Sequence, residues 1–144
     1  MTQEQKDLLI ADLFGRLPYG VKCSFGVDDA IYIIEGINPN CCGASEIQAT
    51  HIKSSINGDF KINSCKPYLY PLSSMTEEQK KELEDIWNND MSNAIDFSIQ
   101  GNEVKSNLCQ LNAAKNVIKW LDKNMFDYHD LITLGLAKDM RLLL

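Results

Sequence analysis

The chain has 144 residues, 44% of them apolar and 24% charged, with a formal net charge of −6. That is the size and make-up of one ordinary soluble globule that can bury a core without disulfide staples. The acidity excludes a general grip on nucleic acid backbones, which needs clustered Lys and Arg, and no window approaches the roughly 18 apolar residues of a membrane span.

The polar start, Met1 to Lys6, predicts no signal peptide, and five cysteines (Cys23, Cys41, Cys42, Cys65, Cys109) lack framework spacing. Together they predict free thiols in a reducing cytoplasm. A first helix is predicted over 2–17. Thr2 and Gln5 form a capping pair, Leu9, Ile10, Leu13 and Leu17 share a face, and Pro18 ends the helix. Val21, Cys23 and Phe25 then alternate with polar residues as a half-buried strand. Gly26-Val27-Asp28-Asp29 turns the chain into the β-branched run Ala30 to Ile34, and 36–43 is a loop.

Around Asn57-Gly58 the spacing predicts a hairpin with strands over 48–55 and 59–64. Bringing Ile52 and Ile56 to the face of Phe60 and Ile62 requires an odd loop, because side chains alternate with period two. That implies a three-residue loop, Ile56-Asn57-Gly58, with Gly58 left-handed, pairing Ile52 with Ile62 and Ser54 with Phe60.

The run Lys66 to Gln79 joins a β-rich part, 20–72, to a mainly helical part, 74–144. Its first half, under Pro67 and Pro71, must be extended. In its second half Ser74 or Thr76, with Glu77 or Gln79, starts a helix over 77–89 whose buried stripe is Gln79, Leu83, Ile86 and Trp87. The acidic run from Glu77 to Asp85 is broken by Lys80 and Lys81 and reads as a solvated helix face, not a mimic of DNA. Over 91–106 the alternation of Ile95, Phe97 and Ile99 reads as a short strand or a loop. A helix over 107–124 follows, with Leu111, Ala114, Ile118 and Leu121 on one face and Trp120, like Trp87, as a core anchor. Asp127 caps a last helix, Tyr128 to Leu134, before Gly135. The apolar tail Met140 to Leu144 is expected to dock on the core or on a neighbouring subunit. The expected fold is a single α+β domain over 1–144: a small, strongly bent antiparallel sheet, curling towards a barrel, packed against three to four helices.

Phosphate loops, Cys-x-x-Cys pairs, nucleophile elbows and His-Glu-x-x-His are all missing from the sequence. His51 is expected on the polar face of its strand. His129, flanked by Asp127 and Asp130, is acid–base furniture without a nucleophile tied to it, and capping explains both carboxylates. Cys41-Cys42 with His51 and Cys65 has the residue types of a zinc site. Adjacent cysteines cannot easily both reach one tetrahedral ion, so no metal and no cofactor are expected. Cys23 and Cys65 read as small buried apolar residues. Tyr68 and Tyr70, two apart on an extended segment, with Tyr19 and Lys22, make the candidate binding surface.

Three blocks carry a resemblance: Leu17-Pro18-Tyr19-Gly20-Val21-Lys22, Lys66-Pro67-Tyr68-Leu69-Tyr70-Pro71-Leu72-Ser73-Ser74-Met75-Thr76-Glu77-Glu78, and Phe126-Asp127-Tyr128 with Leu131-Ile132 and Gly135-Leu136-Ala137. In that order and spacing the chain resembles a family of short proteins from phages, prophages and mobile elements of Bacteroidales. The family brings no catalytic residues to carry over. The resemblance implies a non-enzymatic accessory protein that binds a host or phage protein in the bacterial cytoplasm. Two alternatives stand beside it. One is an oligomeric sponge for a nucleotide immune signal, using Arg16, Arg141, Lys22 or Lys66. The other is a small hydrolase-like enzyme using His129 with Asp127 and Asp130.

Overall fold

Thr2 starts the first helix. In the computed structural model, which describes residues 1–26, 29–38 and 45–143, its hydroxyl accepts from Gln5 N–H while the Gln5 side chain accepts from Thr2 N–H. This reciprocal cap satisfies two amides that the first turn leaves free. Helix α1 (Gln3–Arg16) then buries Leu9 and Leu13 completely, and a 3-10 turn, Leu17–Tyr19, takes Pro18. Gly20, at φ 78°, turns the chain out of it in the left-handed region where glycine carries no Cβ penalty.

Strands β1 (Lys22–Phe25), β2 (Tyr32–Asn38), β3 (Glu46–His51), β4 (Asn57–Lys61) and β5 (Cys65–Pro71) follow, and β6 (Phe126–Asp127) and β7 (Lys138–Asp139) come after the helices. The order is β4-β3-β2-β1-β5-β6, with β7 also on β5. The sheet is open, not closed into a barrel, and it is mixed: β1 to β4 pair antiparallel in sequence, but β6 and β7 run parallel to β5. Strand β5 therefore pairs with β1, β6 and β7, and Pro67, Tyr68 and Leu69 are all buried. Burial of consecutive residues is what a central strand covered on both faces shows. Val27 and Asp28, most of the 36–43 loop with Cys41 and Cys42, and Leu144 lie outside the described residues.

The β3–β4 hairpin differs from the expected register. Ile47 faces Phe60 and Ala49 faces Gly58, and residues 52–56 form the connection, closed by His51 N–H on Ile56 O (2.9 Å) and Ser55 N–H on His51 O (2.9 Å). The buried apolar pair of β3 is Ile47 and Ala49, whereas Ile52 and Ile56 are exposed. The observed pairing lies several residues away from the one that Ile52 and Ile56 would set. Gly58 is not a left-handed turn residue: it lies within β4, where a Cβ would meet the Phe60 ring at 3.0 Å. Its missing side chain makes room for Phe60, which stacks on Phe25 with centroids 4.0 Å apart.

Packing gathers the described residues into two units, Met1–Leu72 with Met125–Leu144, and Ser73–Asn124. The second is a helical hairpin. Thr76 and Gln79 make the capping box of α2 (Glu77–Ile99), so of the two expected cap pairs the later one forms. Helix α2 runs ten residues beyond its expected end because no breaker stands before Gly101; the alternation of Ile95, Phe97 and Ile99 lies on helix, not strand. Gly101 (φ 77°) ends it, and Asn102 accepts from Lys105 N–H to cap α3 (Glu103–Lys123).

No helix forms over 128–134. Asp127 does cap, accepting from Leu131 and Ile132 N–H (both 2.9 Å), but what it closes is a string of turns ending in Gly135. Asp130, at φ 56°, breaks helical geometry just where a first turn would need it. In the tail Met140 is buried and Leu143 packs on the core, while Leu142 is exposed.

Candidate functional site

The tyrosine surface expected from the sequence does not form. Tyr68 is only 3% exposed, with Lys138 Nζ 5.5 Å from its ring centroid, and Tyr70 is half-buried with its ring 6.1 Å from that of Phe126. The cause is the parallel pairing of β6 and β7, which makes β5 an inner strand. Tyr19 and Lys22 are exposed, on the 3-10 turn and on β1.

Around His129 the structure brings together residues far apart in sequence. Asp12 and Arg16, one helical turn apart on α1, are both buried and form a two-pronged ion pair: Nε to Oδ2 at 2.7 Å and NH2 to Oδ1 at 2.8 Å. Arg16 NH2 also donates to Phe126 O (2.7 Å), and its guanidinium lies 5.1 Å from the Tyr128 ring centroid. His129 Nδ1 lies 3.0 Å from Asp12 Oδ1, and the imidazole is 33% exposed. This corrects the expected constellation. Both oxygens of Asp127 are used by backbone amides, and the carboxylate that orients His129 is Asp12, 117 residues away. A fixed imidazole beside a carboxylate can shuttle protons. The same contacts also join α1 to the segment around Phe126, with the geometric specificity a two-pronged pair gives.

His51 does not lie on the polar face. It has the strand parity of Ile47 and Ala49 and rests on Tyr32 with ring centroids 5.2 Å apart. Ser54 N–H donates to His51 Nδ1 (3.1 Å), and Ser54 Oγ lies 2.6 Å from the same nitrogen. A backbone N–H can only donate, so this ring nitrogen is an acceptor and the pair closes the turn. An open hollow of 320 Å³ adjoins it, lined by Tyr32, Ser54, Ile56 and Phe60 among others.

The arginines suggested for a nucleotide site are engaged elsewhere, Arg16 as above and Arg141 with Asp139 at 2.5 Å. Cys23 and Cys65 are fully buried on neighbouring strands. The Cys65 thiol, by hydrogen bonding, and burial both push the Cys23 thiol far above the ordinary thiol range. Among the described residues no cluster of three His, Cys, Asp or Glu side chains could hold a metal, and no helix is long and apolar enough to cross a membrane.

The least expected feature is on α3. Ser106, Ala113 and Trp120, spaced by seven, are buried, and Ser106 Oγ donates to Ala94 O of α2 (2.8 Å), so this side of the helix faces α2. At 100° per residue the opposite side carries Val104, Leu108, Leu111 and Ile118. Leu111 is 67% exposed, and the other three are exposed as well. The stripe read from sequence as core is therefore on the surface at Leu111, Ala114 and Ile118, with only Leu121 buried. Trp87 is likewise 42% exposed, whereas Trp120 is buried as expected. No family model, no curated protein and no solved structure matches the chain.

Proposed function

We propose that this protein works by contact: a non-enzymatic accessory protein of a phage or mobile element that binds a host or phage protein inside the bacterial cell. The observation that supports it is the second apolar seam of α3. A helix with one apolar stripe is satisfied by one neighbour; a helix with two opposed stripes has the pattern of one packed between two. In the hairpin α2 covers the first stripe, and the second is exposed. Four large aliphatic side chains in line are more than the scattered exposed residues a monomer normally shows. The contact surface is thus assigned to the hairpin rather than to Tyr68 and Tyr70.

A photo-crosslinking amino acid placed at Leu111 in the expressing bacterium is expected to give one discrete heavier product, with none from the same probe at Tyr19. A product from Tyr19 alone would move the surface to the sheet unit. Products from neither position would overturn the reading.

A further inference from the structure

The geometry points to one kind of partner for this seam: an acidic amphipathic helix of another protein. The inference rests on the contact reading above and adds what the contact is with. Val104, Leu108, Leu111, Lys115 and Ile118 step by four, three, four and three, which is the spacing of a helix–helix seam. The stripe spans about 21 Å at 1.5 Å per residue, two heptads of a docking helix. It is narrow, bordered by Asn107 and Asn112, and holds no aromatic residue. A bilayer-seeking face is broader and carries Trp or Phe, so a helix fits this stripe better than a lipid surface does.

Charge decides the partner's sign. In a chain of net charge −6, α3 carries Lys105, Lys115, Lys119 and Lys123. Lys115 stands in the seam, and the other three lie along one flank of it; Lys105 Nζ also rests 5.4 Å from the Phe97 ring centroid. Of the helix's carboxylates, Asp122 is buried and Glu103 is at the N-terminal end. Charges flanking a seam set partner choice, so Glu and Asp on the incoming helix complement this edge. The same lysines count against a second copy of the chain. An antiparallel copy centred on Leu111 sets Lys105 beside Lys119, and a parallel one sets Lys115 against Lys115.

Two synthetic helical peptides of roughly three heptads test it, sharing leucine at the seam positions and differing in Glu or Lys at the flanks. Fluorescence anisotropy with the full chain is expected to show the Glu peptide binding at least about tenfold tighter, with the ratio shrinking towards one as salt rises to ~1 M. Lys115→Glu with Lys119→Glu should reverse the preference, and Leu108→Asn with Leu111→Asn should abolish both bindings. Equal affinity for the two peptides, no binding of either, dimerisation through Leu111 in sedimentation equilibrium, or capture by phosphatidylserine vesicles that Leu111→Asn abolishes would each overturn it. A crosslinked product from position 111 together with peptide indifference would remove the acidic helix and leave the contact reading standing. Loss of both results would remove both.

Discussion

In the sheet unit the large side chains of β1 and β5 are covered on both faces, whereas in the hairpin the outward leucines of α3 are exposed. The sheet unit even buries charge: Asp12 and Arg16 are enclosed, and Asp12 also holds His129. The hairpin shows Leu111 and Ile118 to solvent and keeps its buried stripe to small or single large residues, Ser106, Ala113 and Trp120. The sheet unit also exposes Ile52, Ile56 and Leu142, but on separate segments, whereas on α3 the exposed apolar side chains fall in one stripe. Folding alone accounts for the first arrangement. The second is the arrangement that the proposed contact accounts for.

The largest expected effect breaks the sheet unit alone. Asp12→Ala takes from the enclosed Arg16 guanidinium the carboxylate that grips its Nε and NH2, and removing one partner of a buried pair costs about 3–5 kcal/mol. Both tryptophans, Trp87 and Trp120, lie in the hairpin, so their fluorescence reports that unit. Amide hydrogen exchange of β1 and β5 is therefore the measurement for this variant. A loss under about 1 kcal/mol for Asp12→Ala would put the pair in the class of solvated surface bridges.

The sequence carried the local rules well and the distant ones poorly. Thr2 with Gln5, and Thr76 with Gln79, are legible because a capping box is written within four residues. Cys23 and Phe25 are buried as their alternation predicts, but Ser24, read as the polar side of a half-buried strand, is buried too, because β1 is covered on both faces. The β3–β4 register was not legible, since Ile52 and Ile56 satisfy the same parity argument as the true core pair Ile47 and Ala49, and only packing chooses between them. The Asp12–His129 contact spans 117 residues and leaves no periodic trace. Leu111 teaches the most. Helical period shows that a face is apolar; it does not show that the same chain covers it.

A middle-sized effect sharpens the contrast through pH. The unfolded Cys23 thiol loses its proton near its ordinary value of 9.0, while the folded thiol, hydrogen-bonded to Cys65 and buried, keeps it. Above that pH the unfolded state binds fewer protons than the folded one, so stability falls as pH rises and is complete below it. The slope approaches about 1.4 kcal/mol per pH unit for one thiol. Urea midpoints of the sheet unit at pH 8 to 10, followed by hydrogen exchange or tyrosine signals, should fall more steeply in the native chain than in Cys23→Ala. Equal slopes would show that the thiol ionises freely in the folded state.

The smallest expected effect is the most telling for function. Leu69 and Leu111 are the same residue type in the two units, one fully buried on β5 and one mostly exposed on α3. Leu69→Ala removes buried methyl groups and leaves a cavity, at a cost of about 2–5 kcal/mol. Leu111→Ala removes methyl groups that already face water, so folding of the isolated protein should change by no more than ~0.5 kcal/mol. If chemical denaturation shows Leu111→Ala unfolding the hairpin, that leucine serves the chain's own core and the outer seam is not a docking surface. If the variant is as stable as the parent, the side chain contributes nothing to the monomer, and the stripe of Val104, Leu108, Leu111 and Ile118 is left free for the proposed docking helix.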